Sequence, residues 1–257
     1  RYFCLSRGLG DVYKRQETMF AKYRGKSVGV LGDISCFSTY IAHMIVTGVG
    51  GIALTNNPKY AQILRSLANH GRDNIYISID DDNKKKGRAF EEVIARRFRF
   101  IRRGYSYRVT EFEGALGCVE LESGRSIVKT RQANAQYLIK RLSDLSHMLQ
   151  LPSYPDYTEH AFMLFPLVVK KKSGYSKRDL VNYLESKGIE TRDLMPLINQ
   201  PYIKKEYSIR KGQYPVADWL NESGFYIGCH QAMKKPELEY ILKAFHDFAH
   251  QHGKTKA

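Results

Sequence analysis

The sequence is poor in cysteine, and its cysteines do not form the pairs that disulfide frameworks or metal centres need. Only Cys4, Cys36, Cys118 and Cys229 occur among 257 residues, and no two of them fall in a C-x-x-C spacing. This pattern argues against a disulfide-stapled scaffold and against a zinc or iron–sulfur site, so we expect no metal. Unpaired cysteines are typical of a reducing compartment, and we expect a cytoplasmic protein.

Long hydrophobic runs are also missing. No stretch approaches the ~20 apolar residues that span a bilayer, and no segment resembles a signal peptide, so we expect no membrane association. The hydrophobic fraction of 43% still suffices for one large core or two modest ones.

Acidic residues are outnumbered, with 26 Asp and Glu against 41 Lys and Arg and a net charge of +15. A nucleic-acid-binding protein would explain this excess. However, the charge is scattered, its runs at residues 84–86 and 170–172 are typical of solvated turns, and no nucleic-acid-binding motif accompanies it. We therefore expect no nucleic-acid partner. A basic surface suits a small anionic substrate equally well.

The first 16 residues, RYFCLSRGLGDVYKRQ, are predicted to be foreign to the gene. Their last six match what one reading frame of a common sequencing-library transposon adapter encodes. We therefore exclude residues 1–16 from fold reasoning, as we would a fusion scar. On this interpretation the native sequence begins near Glu17 and lacks its N-terminal part.

The most informative stretch is residues 32–51, which reads GDISCFSTYIAH and closes in TGVGG. It resembles the active-site segment of the DegT/DnrJ/EryC1/StrS family of pyridoxal-phosphate (PLP) sugar aminotransferases, written roughly GDI-x-CFSFYPTK and then GGAVVTN. The family's lysine, which holds PLP as a Schiff base, falls on His43. This replacement matches a branch of the family, the B6-dependent nucleotide-sugar 3-dehydratases, whose members carry histidine at this position.

Other segments resemble the same family in the same order, so the resemblance runs from Glu17 to the C-terminus. They are ETMFAKYRGKSVG at 17–29, NHG at 69–71, GYSYRVTEFEGALG at 104–117, IETR at 189–192 and NQPY at 199–202. The resemblance implies an α/β fold of the aspartate aminotransferase type (PLP-dependent transferase fold type I). Residues 17–122 would form the C-terminal part of the PLP-binding large domain, and residues 123–257 a linking helix and a small α/β domain. Family members are homodimers whose active sites are built from both subunits.

The resemblance also implies a cofactor-binding set. Ser38 would donate its hydroxyl to the PLP phosphate, although a strand serine that bonds locally is the alternative. Glu17 would lie beside the cofactor ring. Ser106 stands where the family has an asparagine that reaches the PLP phosphate of the partner subunit. The family's aspartate that pairs with the pyridine nitrogen would fall on Lys14, so this part of the site is predicted to be missing.

Three further residues are predicted to face the sugar substrate from their family positions. They are Arg192, His160 and His230. For each of them, a partly buried side chain that is satisfied by the backbone is an equally good interpretation.

The chemistry depends on His43. PLP acts as an electron sink for a carbanion beside the amine bound to it. An imidazole is not a primary amine, so His43 cannot hold PLP covalently, but an unperturbed pKa near ~6.5 lets it act as a base at neutral pH. We therefore predict non-covalent PLP or pyridoxamine phosphate, and loss of a sugar 3-hydroxyl. The implied substrate is a nucleotide-linked keto-deoxysugar, with glutamate as a candidate amino donor.

Three functions remain open from the sequence. The first is a 3-dehydratase-type enzyme of deoxysugar or surface-polysaccharide (lipopolysaccharide O-antigen) biosynthesis. The second is a sugar aminotransferase, disfavoured because Lys26 and Lys59 lie outside the motif; the third is a non-catalytic relative. Val49 and Met44 depart from the dehydratase pattern, which is compatible with another PLP reaction. The 257-residue chain alone is expected to be inactive.

Hydrophobic periodicity and cap residues predict the main elements. The predicted strands are 34–40, 52–55, 160–169 and 226–230. The predicted helices are 60–68, preceded by a turn and helix start at 56–58, 110–149 with a break at Ser123-Gly124, 176–187, 217–223 and 236–250.

Overall fold

The computed structural model describes residues 12–14, 19–73, 84–96, 98–194 and 197–252. Glu17 therefore lies outside the described residues. The chain divides into two compact units, Arg1–Gly124 (unit 1) and Arg125–Ala257 (unit 2). No helix in the described part of the chain is both long and apolar enough to cross a membrane.

Unit 1 contains a three-stranded sheet in the order β1-β4-β5, with β1 at Val12–Lys14, β4 at Ile34–Ser38 and β5 at Gly51–Leu54. Strand β1 runs parallel to β4 and β5 runs antiparallel to it, with Ser38 opposite Gly51. Strand β4 alternates in burial, as a half-buried strand does. The segment that sequence analysis left out of the fold thus contributes a strand beside the predicted active-site segment.

The other elements of unit 1 are short. They are β2 (Lys22–Tyr23), β3 (Lys26–Ser27), α1 (Pro58–Ala68) and α2 (Arg88–Arg96). Helix α1 begins where the turn and helix start at Asn56-Asn57-Pro58 were predicted, with Asn57 as its cap: the Asn57 Oδ1 accepts the Lys59 N–H at 2.9 Å. Its end was predicted at Gly71, and Gly71 has the positive φ of +80° that glycine tolerates best.

Helix α3 spans Glu111–Arg141. Its start agrees with the predicted capping box, in which the Thr110 N–H donates to the Glu113 carboxylate at 2.7 Å. The predicted break at Ser123-Gly124 was wrong, because the helix is continuous there. A Cβ on Gly124 would lie 2.7 Å from the Phe20 Cζ, so this glycine admits a neighbouring ring instead of ending the helix. The helix also ends before the predicted Leu149.

Unit 2 has a four-stranded antiparallel sheet in the order β6-β8-β10-β9. The strands of unit 2 are β6 (Leu149–Gln150), β7 (Thr158–Glu159), β8 (Leu164–Val169), β9 (Thr191–Asp193) and β10 (Gly224–Gly228). Its helices are α4 (Lys177–Ser186), α5 (Pro201–Glu206), α6 (Pro215–Ser223) and α7 (Lys235–His252). Phe165, Phe225 and Phe245 are buried in the core of this unit, which α7 covers with its apolar face.

Candidate functional site

The connection between β4 and β5 carries His43 and is closed by two threonines. The Thr47 N–H donates to the Thr39 carbonyl at 2.9 Å, and the Oγ1 atoms of the two residues lie 2.7 Å apart. Both side chains are buried, and the Thr39 N–H donates to the Gly50 carbonyl at 3.2 Å. The loop is therefore fixed at its base, while His43 sits in its turn.

The His43 ring is half-buried, and its Nδ1 lies 3.2 Å from the Tyr40 carbonyl oxygen. The His43 backbone N–H donates to the same oxygen at 2.9 Å. Because a carbonyl oxygen only accepts, Nδ1 carries the proton in this contact, and in the neutral ring Nε2 then has the lone pair. The local geometry thus presents Nε2 as a proton acceptor.

Ser38 ends β4 on the same connection. Its hydroxyl oxygen accepts the Tyr40 N–H at 3.3 Å, which is the local bonding that sequence analysis kept as the alternative. A hydroxyl that accepts one hydrogen bond can still donate its own proton. The geometry is compatible with both interpretations, so phosphate binding by Ser38 stays a prediction.

A cavity of about 510 Å³ opens beside this connection, and Ser106 lines it together with Gly50, Gly51 and Arg108. A Cβ on Gly51 would lie 2.8 Å from the Phe37 carbonyl oxygen, so only glycine fits there without a shift. The cavity wall therefore combines a close-packed glycine pair, an exposed serine hydroxyl and a guanidinium. A hydroxyl and a guanidinium are the donors that a phosphate group requires.

The segment that carries Ser106 is pinned to the end of α1. The Tyr105 N–H donates to the Leu67 carbonyl at 2.7 Å, and the His70 N–H donates to the Tyr105 carbonyl at 2.8 Å. Gly71 and Gly104 meet so closely that a Cβ on Gly71 would lie 1.9 Å from the Arg102 carbonyl oxygen. These contacts hold the NHG and GYSYR segments directly against each other.

Charged groups surround Ser106. The Arg108 Nη2 lies 3.2 Å from His70 Nε2, which must accept because a guanidinium only donates. Glu113 also lines the cavity, and hydrogen bonds from the Thr110 hydroxyl and backbone lower the pKa of its carboxyl. Sequence analysis did not single out Arg108, although it lies within the GYSYR motif.

The two predicted histidines of unit 2 each bond to their own loop. The His160 Nδ1 accepts the Phe162 N–H at 2.9 Å, and the His230 Nδ1 accepts the Ala232 N–H at 3.1 Å. Burial lowers the pKa of both rings, and the Arg131 charge lowers that of His230 further. Both rings are therefore held as neutral Nε2–H tautomers, the opposite of His43.

Arg192, the third predicted substrate residue, lies on β9 opposite Tyr226. Its guanidinium pairs with the Glu190 carboxylate and donates to the Thr191 carbonyl at 2.8 Å. Because the side chain is mostly exposed, this pair is weak and can exchange for another anion.

Sequence analysis missed Arg131, which is only 4% exposed on the apolar face of α3. Ile127 and Ala135, four residues to either side, are also buried. An arginine in phase with an apolar stripe was the sequence signal that could have found it.

Comparison with known proteins identifies the family of this chain. The model of the DegT/DnrJ/EryC1/StrS aminotransferase family matches residues 16–246. The chain belongs to this family. Membership in the DegT/DnrJ/EryC1/StrS family confirms the family that the sequence motifs predicted.

Two curated relatives illustrate the branch. The chain is 29% identical over 235 residues to the lipopolysaccharide biosynthesis protein RfbH of Salmonella typhimurium, covering 88% of this chain and 53% of RfbH. It is 27% identical over 231 residues to GDP-4-keto-6-deoxy-D-mannose 3-dehydratase of Escherichia coli O55:H7, covering 88% of this chain and 57% of that protein. The chain thus spans a little over half the length of these relatives.

A solved structure confirms the predicted fold class. The structure of E. coli GDP-4-keto-6-deoxy-D-mannose 3-dehydratase with bound hydrated PLP superposes with a TM-score of 0.79 at 24% identity. The match covers 93% of this chain and 61% of that chain. The DegT/DnrJ/EryC1/StrS chain described here therefore has the fold of these enzymes.

Proposed function

We propose that this chain is part of a PLP-dependent nucleotide-sugar enzyme of deoxysugar or surface-polysaccharide biosynthesis, with 3-dehydratase-type chemistry and His43 as the base. The observation that carries the proposal is the Nδ1 contact of His43 with the Tyr40 carbonyl, which leaves Nε2 free to accept a proton. The similarity to RfbH and to a GDP-sugar 3-dehydratase supports the same branch.

The residues present fit the phosphate end of PLP or pyridoxamine phosphate. Ser38 would supply a hydroxyl donor to the phosphate of its own subunit. The Ser106 hydroxyl, with the Arg108 guanidinium on the same cavity wall, would supply donors to the phosphate of the partner subunit. When it is bound, the cofactor supplies an electron sink. Since His43 has no primary amine, the cofactor would be held without a covalent bond. Glu17, predicted beside the ring, lies outside the described residues.

His43 would hold and move the proton. The Tyr40 carbonyl fixes the ring orientation, and the Thr39–Thr47 contact fixes the loop, so Nε2 keeps one position relative to β4 and β5. In this role the His43 Nε2 would accept the proton whose removal allows a sugar 3-hydroxyl to leave as hydroxide.

In the assembled protein we propose a cytoplasmic homodimer with shared active sites, in which Ser106 of each subunit serves its partner's phosphate site. The substrate would be a nucleotide-linked keto-deoxysugar, with glutamate as the amino donor. Arg192, His160 and His230 would bind this substrate. The exposed Arg192 could exchange its Glu190 partner for a substrate anion.

The test uses the longer gene product that the sequence prediction implies, incubated with PLP, glutamate and a GDP-linked 4-keto-6-deoxyhexose. A 3-dehydratase gives a sugar that lacks the 3-hydroxyl oxygen, with 2-oxoglutarate and ammonia released in equal amounts. A sugar aminotransferase instead gives an amino sugar and 2-oxoglutarate without ammonia. Absence of both products, in a protein that dimerises and is folded, would favour the non-catalytic relative. In His43→Asn, deoxygenation should fall by at least ~100-fold if His43 is the base.

A further inference from the structure

Three neighbouring polar side chains of α3 hold two loops of unit 2; we call Arg131, Gln132 and Asn134 the α3 clamp. The Gln132 Nε2 donates to the His160 carbonyl at 2.9 Å. The Asn134 Nδ2 donates to the His230 carbonyl at 3.0 Å. The clamp therefore bonds directly to the backbone of both histidines.

Arg131 joins the same two loops from inside the unit. Its Nη1 donates to the Met163 carbonyl at 2.8 Å and to the Cys229 carbonyl at 3.1 Å, and its Nε donates to the Gln231 Oε1 at 2.8 Å. The loops thus converge on a single guanidinium nitrogen. These partners are uncharged, and burial lowers the pKa of the guanidinium.

A buried cation that is paired with neutral oxygens is costly, because desolvation is offset only by hydrogen bonds. A hydrophobic side chain would fill the same space at lower cost. What Arg131 supplies is a rigid fork that sets the separation of the two loops. The loops are those that carry His160 and His230, so the fork helps to fix the backbone from which these two rings project.

The protonation pattern defines what the rings can bind. In each histidine Nδ1 accepts a backbone N–H, from Phe162 in His160 and from Ala232 in His230. The proton of each neutral ring therefore lies on Nε2. Each ring therefore offers an N–H donor and no free acceptor. Such a pair suits a ligand oxygen and does not suit proton abstraction, which separates these histidines from His43.

We propose that Arg131, as part of the α3 clamp, is a positioning residue for a ligand subsite. In this subsite His160 and His230 present two neutral Nε2–H donors to oxygen acceptors of the ligand. The acceptor is a hydroxyl, carbonyl or phosphate oxygen. The inference rests on the proposed function for its substrate class, a nucleotide-linked sugar. It goes beyond that function by assigning both histidines as donors and by naming the residue that holds them.

The experiment is ¹H–¹⁵N NMR of the histidine ring nitrogens in the full 257-residue chain, with GDP-mannose as the probe. We expect both rings to be Nε2–H tautomers at pH 7.5, and both signals to shift as the probe is added. An Nδ1–H tautomer in either ring, or a probe that moves neither signal, would overturn the proposal. Because this readout needs neither PLP nor turnover, failure of the proposed enzyme activity would be seen separately.

Variants of Arg131 test the positioning role. In Arg131→Gln we expect mixed tautomers at both histidines and an apparent Kd for GDP-mannose raised by at least tenfold, with partial recovery in Arg131→Lys. Arg125→Gln, which alters an exposed arginine of the same helix, should leave both readouts unchanged. Unaltered tautomers and affinity in a folded Arg131→Gln would refute the role. If Arg131→Gln does not fold, the positioning role is tested by comparing the unmodified chain with Arg131→Lys. The readouts are again the histidine tautomers and the response to the probe.

Discussion

The Oγ1 atoms of Thr39 and Thr47 lie 2.7 Å apart inside unit 1, and this contact closes the loop that carries His43. The Thr47 hydroxyl also lies 2.9 Å from the Val49 carbonyl, so one side chain links both ends of the loop. A base can act only if it keeps its position, and the position of His43, the proposed base, depends on two buried hydroxyls.

Thr47→Val tests this dependence. Valine keeps the shape but leaves the Thr39 hydroxyl and the Val49 carbonyl without this partner, so the free energy of unfolding should fall by about 1–3 kcal/mol. Urea denaturation measures it. Thr130→Val, at an exposed position of α3, should change stability by less than ~0.5 kcal/mol. Equal effects of the two substitutions would contradict the closure by Thr47.

Gly71→Ala should destabilise unit 1 by more than ~2 kcal/mol, because a Cβ would lie 1.9 Å from the Arg102 carbonyl at a φ of +80°. The matched control is Gly114→Ala, in the open interior of α3, where a Cβ meets nothing within 4 Å. That change should stabilise the protein by roughly 0.5–1 kcal/mol, since alanine favours helix. Thermal unfolding of both variants distinguishes them, and a tolerated Gly71→Ala would refute the close approach that places Ser106.

Glu185 gives unit 2 a predictable response to acid. Its Oε1 accepts from the Thr191 hydroxyl and from the Thr191 N–H, both at 2.6 Å, and these bonds lower the pKa of the carboxyl below its usual 4.5. A depressed folded pKa gives stability that is present above the unfolded pKa and is lost as pH falls through the folded one.

Thr191→Val removes the hydroxyl donor and should reduce the free energy of unfolding at pH 7. The difference in the free energy of unfolding between this variant and the unmodified chain should shrink as the pH falls below 4.5. Urea denaturation from about pH 3 to pH 7, which covers the protonated and the ionised carboxyl, measures this difference. Thr191→Ser keeps the donor and should preserve most of the difference between neutral and acid pH. A loss in Thr191→Val that is the same at every pH would count against this account.

Local sequence signals predicted the local features well. The Thr110–Glu113 cap and the stop at Gly71 need only neighbouring residues, and the structure contains both. The break predicted at Gly124 was wrong because that glycine makes room for the ring of Phe20, which is remote in sequence. A glycine in a helical pattern can mark the end of the helix or a close approach by a neighbouring side chain, and only the tertiary contact distinguishes the two.

The roles of the histidines needed coordinates. Sequence motifs placed His43, His160 and His230, but the motif cannot say which ring nitrogen meets a carbonyl and which meets an N–H. That difference separates a base from a donor. The apolar stripe of α3 could have indicated that Arg131 is buried, but its partners needed coordinates, since two of them are the backbone carbonyls of Met163 and Cys229.

The most direct test of His43 as a free base is intact mass spectrometry of the longer gene product after PLP binding and borohydride reduction. PLP binding is followed by absorbance in the same samples, and His43→Lys serves as the positive control for covalent attachment. We predict reversible binding without a reduced adduct in the unmodified protein, and an adduct in His43→Lys. A stable reduced adduct on a lysine of the unmodified protein would contradict the account and return the chain to the aminotransferases.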